Sequence, residues 1–353
     1  MTPKEILLSG IDLKPTPRLP VIIPSSGVWI YERNGLTLQD TFELAPDKLA
    51  DVIINNNKEV KSDVIWLAAD CSNVVLRAIG AKCTFNVLGG PATVDESLIL
   101  KSADVDHLRI ADLENSPEIE NLLKTTKIVA DRVGNDYLIG ISQWGPFTLA
   151  GQLMGIDNLL SKALRDKSGV KHVLEFTTQL LKKYWGLFVD AGAELVCQSE
   201  PVSSGDMISK KIFAELAFPY IKSANDDING RVKAKMLHIC GKTTEILDLI
   251  PQTGADLFSL DYKVDLALAR EKLGGKIAFG GQLNPIKVLL EGSPKDVEKA
   301  SKRCINDAGL KGYVLMPGCD VPPKTKMENV QAMIKVAHQT QCNKKENNNM
   351  YEK

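Results

Sequence analysis

Short apolar runs alternate along the chain with longer segments in which apolar residues recur every three or four positions. Several runs are almost continuously apolar, which is typical of parallel strands covered on both faces. Eight strands are predicted, at residues 19–24, 63–69, 137–142, 194–199, 234–239, 256–261, 276–281 and 312–317. The segments between them show helical periodicity, and two of them open with a serine N-cap followed by proline, at Ser116 and Ser293.

A pattern in which helices alternate with parallel strands until eight strands are counted predicts an α/β fold of the (β/α)8 TIM-barrel type. The alternative is an open doubly wound sheet, although the turn after the first strand, PSSGVW, lacks the GxGxxG pattern. The first 15 residues have a helical pattern and predict a helical extension before the barrel. A long insertion, residues 70–136, separates strands two and three, and we expect it to form an extra hairpin or lid over the barrel mouth.

The length of 353 residues allows one barrel or two smaller domains, and the strand count favours a single barrel domain over residues 1–341. Residues 342–353 contain almost no apolar side chains and are predicted to be disordered. The seven cysteines, scattered and odd in number, indicate thiols or metal ligands and not a disulfide framework.

The formal net charge is −1, with 25% charged residues of both signs, which argues against nucleic acid or anionic lipid as a partner. No apolar run approaches the roughly 20 residues that span a bilayer. The N-terminus also lacks the basic start and apolar core of a signal peptide. We therefore expect a cytoplasmic protein that binds a small molecule.

One histidine and two cysteines are predicted to converge. His238 and Cys240 lie at the carboxyl end of the fifth strand, and side-chain alternation puts both on one face. Cys319 follows the last strand on the same rim, where TIM barrels build their active sites. One histidine and two thiolates form a catalytic zinc set with a fourth position open, and zinc is favoured over iron or copper because nothing else suggests redox work. Spacing alone equally fits a hydrogen-bonded core histidine and buried thiols.

Other polar side chains stand at the ends of predicted strands, and each could instead cap a helix or pair with a neighbour. They are Asp70, Gln143, Glu200, Asp261 and Gln282. Glu200 and Asp261 are expected to be catalytic, as proton-handling groups or a replaceable zinc ligand. Gln143 and Gln282 are expected to bind substrate.

Four aromatic side chains lie in or just after the first three strands and are also expected to bind substrate: Trp29, Tyr31, Trp66 and Trp144. Packing of these rings in the barrel wall is the alternative interpretation. A sulfonated thiol would require a cation, for which the rim offers Arg33, Lys242 and Lys263. The aromatic residues favour a flat apolar substrate instead.

Three segments carry a family resemblance: LHICGKTTEILDLIPQTGADLFSLD, GGQLNP and MPGCDVPPKTKMENVQAMI. They resemble the uroporphyrinogen decarboxylase superfamily, and within it the zinc methyltransferases that work with corrinoid proteins, such as the methylcobamide:coenzyme M methyltransferases. That branch has an HxC motif and, further along, a cysteine in a P-G-C motif. His238, Cys240 and Cys319 fall on these positions. The likeness extends over nearly the whole chain.

The resemblance implies an enzyme that holds Zn²⁺ through these three residues and moves a methyl group between a small substrate and the cobalt of a separate corrinoid protein. From the aromatic residues, we expect O-demethylation of a methoxylated aromatic. Methyl transfer from the corrinoid to a thiol of the coenzyme M type is the alternative. A catalytically inactive barrel that binds a corrinoid protein is another. The oligomeric state stays open, with a homodimer among the options.

Decarboxylation of uroporphyrinogen is a weaker alternative. The decarboxylase has an Arg-rich segment after its first strand, where this chain has IPSSGVWIYERNG, and a His-Gly pair where this chain has Gly318 and Cys319. Asp70 stands where the decarboxylase carries its key carboxylate, which is why Asp70 is also expected to be catalytic.

Overall fold

A curved parallel sheet forms the centre of the molecule, as seen in a computed structural model that describes residues 1–24, 27–67, 72–85 and 92–342. Within these residues the sheet has seven strands in the order β1-β4-β5-β6-β7-β8-β9, and a separate hairpin pairs β2 with β3. The strands are β1 (Val64–Trp66), β2 (Cys83–Thr84), β3 (Thr93–Val94), β4 (Leu138–Trp144), β5 (Leu195–Ser199), β6 (Ala234–Ile239), β7 (Leu257–Leu260), β8 (Ala278–Leu283) and β9 (Tyr313–Pro317).

The first predicted strand occupies the eighth position of the barrel but makes only one bridge, between Val21 and Leu315 of β9. Leu315 donates its N–H to the carbonyl of Pro20 at 3.0 Å, and Asp63 at the start of β1 donates to Val21 at 3.0 Å. This segment therefore closes the ring between the last strand and the first. It stays short because Pro20 and Pro24 have no N–H to donate to a ladder.

Helices surround the barrel, most of them on its outer face and the first of them at one end. They are α1 (Pro3–Ile11), α2 (Val28–Arg33), α3 (Asp40–Glu43), α4 (Pro46–Val60), α5 (Val74–Ala78), α6 (Pro117–Val133), α7 (Pro146–Met154), α8 (Ile156–Arg165), α9 (Lys167–Asp190), α10 (Lys210–Ile212), α11 (Phe218–Asp227), α12 (Leu266–Leu273), α13 (Pro294–Ala308) and α14 (Met327–Gln339). Shorter 3-10 helices cover Ser102–His107, Ile110–Asn115, Pro201–Ser203, Thr244–Ile246 and Ile250–Gln252, and π-helical turns cover Phe213–Ala217 and Pro285–Leu290.

The two predicted N-caps are present. The Ser116 hydroxyl accepts from Ile119 N at the start of α6, and Ser293 forms a capping box with Asp296 at the start of α13. The segment between β6 and β7 differs from the expected helix and holds only two 3-10 turns. The second turn contains Pro251, which has no N–H to donate to a longer helix. No helix in the described ranges is both long enough and apolar enough to cross a bilayer.

Helix α1 is the predicted N-terminal extension and closes one end of the barrel. Its Leu7 and Ile11 join the apolar cluster inside the barrel, which is separate from the cluster between sheet and helices. Lys4 donates its N–H to Asp136, just before β4, so α1 lies at the amino ends of the strands. The opposite end of the barrel, at the carboxyl ends of the strands, is where TIM barrels form their active sites.

The predicted insertion between strands two and three contains the β2–β3 hairpin, in which Cys83 pairs with Val94 and Thr84 with Thr93. It continues through two 3-10 helices into α6. The extra hairpin expected in this insertion is thus confirmed. The predicted disorder of the tail concerns residues of which all but the first, Cys342, lie outside the described part of the chain.

Candidate metal centre and substrate cavity

Side-chain alternation decides which strand residues reach the barrel interior. On β6, Ala234 and Met236 belong to the interior cluster, whereas Leu237 and Ile239 pack outward against the helices. The same alternation turns His238 inward, and Cys240 follows it just past the end of the strand. Both side chains line the cavity at the carboxyl end of the barrel.

The structure brings His238, Cys240 and Cys319 together. His238 Nε2 lies 2.9 Å from Cys240 Sγ, and Cys240 Sγ lies 3.2 Å from Cys319 Sγ. All three donor atoms lie within 4.8 Å of one another. Residues 79 positions apart in the chain meet here because β6 and the loop after β9 open on the same rim.

A hydrogen bond from the neighbouring strand fixes the histidine ring. His238 and Ser259 are register partners on β6 and β7, and His238 Nδ1 lies 2.9 Å from Ser259 Oγ. With Nδ1 engaged, Nε2 is the nitrogen that faces the cysteines. Ligand histidines are commonly held in this way through their second nitrogen.

The two thiols influence each other's ionisation. The hydrogen bond from the Cys240 thiol lowers the pKa of Cys319, and a hydrogen bond from His238 acts in the same direction. The same contact with Cys319, reinforced by burial, raises the pKa of Cys240. The contact between the two thiols therefore favours the ionisation of one of them, because the other donates a hydrogen bond to it.

These donors fit a divalent metal ion of the zinc type. Zn²⁺ binds thiolate sulfur at about 2.3 Å and imidazole nitrogen at about 2.0–2.1 Å, so its ligand atoms must lie within roughly 4.6 Å of one another. The observed cluster comes close to this limit without any change of strand register. Two sulfurs and one nitrogen suit zinc better than hard cations such as Mg²⁺ or Ca²⁺, which prefer oxygen ligands.

The three side chains lie in the wall of a cavity of about 170 Å³. The rest of its lining is largely apolar and consists of Pro24, Trp66, Ser142, Trp144, Cys197, Ser199, Pro201, Met236 and Asp320. A substrate in this cavity would therefore contact the metal ligands on one side and aromatic or thioether groups on the other.

Two of the four aromatic residues expected to bind substrate line the cavity. Trp66 ends β1 and Trp144 ends β4, where Trp144 Nε1 donates to Asn73 Oδ1 at 2.7 Å. Trp29 lies on α2 instead, buried in the outer cluster, and its Nε1 donates to the Thr325 carbonyl at 2.8 Å. Tyr31, on the same helix, is buried in that cluster too.

The two glutamines lie away from the cavity lining. Gln143 lies between Ser142 and Trp144 on β4, so its side chain points to the outer side of the strand, where it is fully buried. Its amide oxygen accepts the backbone N–H of Trp144. Gln282 donates its side-chain N–H to the Val264 carbonyl.

Glu200 also points away from the barrel interior and caps a helix. Its carboxylate accepts N–H groups from Phe147 and Thr148 at 2.9 Å and the Thr148 hydroxyl at 2.8 Å, all in the first turn of α7. Burial raises the pKa of Glu200 to about 7, although these hydrogen bonds oppose the shift. A carboxylate at a helix N-terminus also satisfies donors that the helix cannot.

Asp261 holds the loop that follows Cys240. Its Oδ2 accepts the N–H of Gly241, the residue after Cys240, at 2.9 Å, and its Oδ1 accepts the N–H of Lys263 at 2.9 Å. Both oxygens thus hold loop backbone, which fixes the position of Cys240. Asp70 lies outside the residues that the structure describes.

Sequence reasoning passed over seven cavity residues, and four of these are considered next: Ser142, Ser199, Met236 and Asp320. Ser142 Oγ and Ser199 Oγ lie 3.3 Å apart on β4 and β5. The signal that could have found three of them is the period of two. Two residues before His238 on the same strand comes Met236, which therefore also points inward. The same alternation on β4 and β5 points the two serines inward and points Gln143 and Glu200 away from the barrel interior.

The sequence of this chain matches a protein-family model described as Uroporphyrinogen decarboxylase (URO-D) over residues 2–340. The chain belongs to the uroporphyrinogen decarboxylase family. Among relatives in this family, methylcobamide:CoM methyltransferase MtbA of Methanosarcina mazei is 27% identical over 339 residues, covering 95% of this chain and 97% of that protein. Methylcobamide:CoM methyltransferase MtaA of Methanosarcina barkeri is 26% identical over 336 residues, with 94% and 96% covered.

A solved structure of a methyltransferase from Methanosarcina mazei superposes on this family member with a TM-score of 0.85 at 23% identity, covering 96% of this chain and 98% of that one. The expected resemblance to the corrinoid-linked branch of the family is confirmed by the relatives, and the TIM-barrel fold is confirmed by the superposition.

Proposed function

We propose that this protein is a zinc-dependent methyltransferase that moves a methyl group between the cobalt of a separate corrinoid protein and the sulfur of a small thiol. The observation that carries the proposal is the meeting of His238, Cys240 and Cys319 in the wall of one cavity. The names of the two relatives described above, both methylcobamide:CoM methyltransferases, support the same chemistry.

In this proposal His238 Nε2, Cys240 Sγ and Cys319 Sγ hold the zinc ion. When bound, Zn²⁺ with one open position supplies Lewis acidity that makes a thiol ionise near neutral pH. Ser259 keeps the His238 ring in its ligand orientation, and Asp261 holds the loop that carries Cys240. The apolar cavity beside the cluster positions the organic part of the substrate and excludes water.

In the proposed reaction a thiol accepts the methyl group. The thiol loses its proton, its sulfur forms a bond to the methyl carbon, and the bond between methyl and cobalt breaks with both electrons left on cobalt. Cobalt of the corrinoid partner thereby passes from Co(III) to Co(I). For this to happen the partner must dock over the barrel mouth, because the sulfur and the methyl carbon must come within bonding distance.

A second candidate is O-demethylation of a methoxylated aromatic, the substrate class that the aromatic residues suggested. The observation in its favour is the pair Trp66 and Trp144 in the cavity wall. The relatives support the thiol reaction better, and the thiol reaction is therefore our first proposal. Decarboxylation of a tetrapyrrole is disfavoured because no Lys or Arg is found among the described residues that line the cavity.

The test is direct methyl transfer. Zinc-loaded protein is mixed with methylcobalamin and either 2-mercaptoethanol or coenzyme M, and the loss of the methyl-Co(III) spectrum is followed. We expect turnover that falls at least 100-fold in Cys319→Ser and is kept in Cys342→Ser, which changes a cysteine outside the cavity lining. Absence of transfer to any thiol, together with methylation of Co(I) by methoxyaromatics, would favour the second candidate.

A further inference from the structure

We propose that Cys240 and Cys319 form a reversible disulfide when the protein meets a peroxide, and that this bond and a bound metal ion exclude each other. The two sulfurs lie 3.2 Å apart although their residues are 79 positions apart in the chain. The inference goes beyond the proposed function and shares with it only the ligands of the metal centre. It makes the centre sensitive to oxidation.

The segment directly after β7 holds both cysteine loops in place. Asp261 Oδ2 accepts the N–H of Gly241 at 2.9 Å, at the turn that follows the first cysteine. Gly318 precedes the second cysteine and packs so closely that a Cβ at this position would lie 2.7 Å from Tyr262 N. Contacts within the protein therefore bring the two sulfurs together, in addition to anything that a metal ion contributes.

The distance between the two sulfurs suits both a metal-bound and a disulfide state. Two thiolates on one tetrahedral Zn²⁺ ion lie about 3.8 Å apart, because each Zn–S bond is about 2.3 Å long. A disulfide bond is about 2.0 Å long. The observed separation of 3.2 Å lies between these two values. The sulfurs must therefore approach each other by roughly 1 Å to form the disulfide.

The other cysteine in the cavity wall lies deeper in the barrel. Cys197 on β5 is in register with Met236 on β6, which is four residues before Cys240. At a rise of about 3.3 Å per residue, the two cysteines are separated by about 13 Å along the strands. Cys304 is on α13, where it packs in the outer cluster. The fold therefore directs oxidation to the pair formed by Cys240 and Cys319.

Both cysteines of this pair are partly exposed and line the cavity, so a small peroxide can reach them. In the first step one thiolate attacks an oxygen of hydrogen peroxide, the O–O bond breaks, and a sulfenic acid and hydroxide form. The second cysteine sulfur then attacks the sulfenic sulfur, the S–O bond breaks, and the departing hydroxide takes up the thiol proton as water. The two thiols lose two electrons, and one peroxide is reduced to two waters.

The disulfide and the metal ion compete for the same two sulfur atoms. Zn²⁺ is bound by thiolate sulfur, which the disulfide no longer provides. Bound zinc should therefore protect the cysteines from oxidation, and oxidation should release zinc. A dithiol reductant returns both thiols by thiol–disulfide exchange and restores the ligand set.

The first experiment maps the disulfide. Full-length protein is stripped of metal with a chelator under reducing conditions, freed of both reagents, treated with equimolar hydrogen peroxide, alkylated and digested for mass spectrometry. We expect a cross-link between the peptides that contain Cys240 and Cys319, formed at least tenfold faster than in urea-unfolded protein, because the fold holds the sulfurs together. Cys83→Ser, which changes a partly exposed cysteine on β2, should give the same cross-link. Separate oxidation of the two cysteines to sulfinic acids, or pairing of either with Cys197, would overturn the inference.

The second experiment uses zinc-loaded protein and a zinc indicator dye. Peroxide should release one zinc ion per disulfide formed, and dithiothreitol with added zinc should restore the metal content. Zinc retained by protein that carries the disulfide would overturn the mutual exclusion. Neither readout needs methyl transfer. Protein that forms the disulfide but transfers no methyl group would count against the proposed function alone, and protein that transfers the methyl group but forms no disulfide would overturn this inference alone.

Discussion

His238 and Ser259 face each other across β6 and β7, with His238 Nδ1 2.9 Å from Ser259 Oγ. This contact leaves Nε2 as the nitrogen directed at Cys240 and, through it, at Cys319. The register of two central strands thereby sets the orientation of a ligand. A histidine held in this way loses less freedom when it binds a metal.

Ser259→Ala should weaken zinc binding about 10- to 100-fold, because the imidazole ring loses the hydrogen bond that orients it. The measurement is competition with a zinc chelator of known affinity. Ser301→Ala is the matched control, since Ser301 is also buried but donates to the Val297 carbonyl on α13. Equal zinc affinity in Ser259→Ala and wild type would show that Ser259 does not support the metal centre.

Arg18 and Asp63 should contribute strongly to stability because they close the barrel. Arg18 donates to both oxygens of Asp63, which is fully buried and also accepts the Val21 N–H at 2.9 Å. Arg18→Leu leaves a buried carboxylate without its partner, and we expect the free energy of unfolding to fall by about 3–5 kcal/mol. Chemical denaturation measures the change.

The control for this pair is Arg132→Ala, which breaks the exposed ion pair with Asp51. An exposed pair of this kind contributes less than about 1 kcal/mol. If Arg18→Leu cost no more than this control, the pair between Arg18 and Asp63 would not be what holds the first strand in place.

Glu200 should give the protein a characteristic pH dependence of stability. Its pKa in the folded protein is raised from 4.5 to about 7, so the folded state binds the proton more tightly than the unfolded chain does. The free energy of unfolding should therefore fall as the pH rises from about 4.5 to about 7. One pKa unit corresponds to about 1.4 kcal/mol, so the contribution lost is on the order of 3 kcal/mol.

Glu200→Gln should remove this contribution, so that its stability relative to wild type changes across the same pH window. Urea unfolding at several pH values measures the difference. Glu175→Gln on an exposed turn of α9 should follow the wild-type pH profile. A Glu200→Gln variant whose profile also parallels the wild type would contradict the raised pKa.

Substitutions of Trp29 and Trp66 should have different effects on the stability of the fold and on the binding of the thiol. Trp29→Phe removes the hydrogen bond to the Thr325 carbonyl and should lower the free energy of unfolding by about 1–3 kcal/mol while leaving thiol affinity unchanged. Trp66→Phe should alter thiol affinity and should cost less stability than Trp29→Phe, because it breaks no hydrogen bond to the described residues. Calorimetry of thiol binding and thermal unfolding of both variants make the comparison. The reverse pattern would show that the cavity is assigned to the wrong tryptophan.

All eight barrel positions were predicted from the sequence, because apolar runs between helices leave few alternatives, and seven of them form strands of the sheet. The first strand was harder, since Pro20 and Pro24 restrict it to a single bridge. The ligand trio could be found because its spacing in β6 follows the period of two and Cys319 follows the last strand. Both features can be recognised within short segments of the sequence.

A position at a strand end misplaced Glu200 and Gln143, although the period of two excludes both from the barrel interior; the contacts that Glu200 makes instead could not be predicted. Glu200 reaches the first turn of α7 only because that helix starts beside the end of β5. Trp29 was assigned to a strand end, but the chain turns into α2 at Val28 and carries the ring into the outer core. These outcomes depend on how a loop enters the next helix, which the periodicity of a single strand does not encode.

The coordination of zinc by His238, Cys240 and Cys319 is the central claim, and X-ray absorption at the zinc edge tests it most directly. The prediction is one zinc per chain with two sulfur neighbours at about 2.3 Å and an imidazole nitrogen at about 2.0–2.1 Å. Cys319→Ser should reduce the sulfur count to one. Zinc bound with the same two sulfurs in Cys319→Ser, or no zinc in the wild type after loading, would contradict the account.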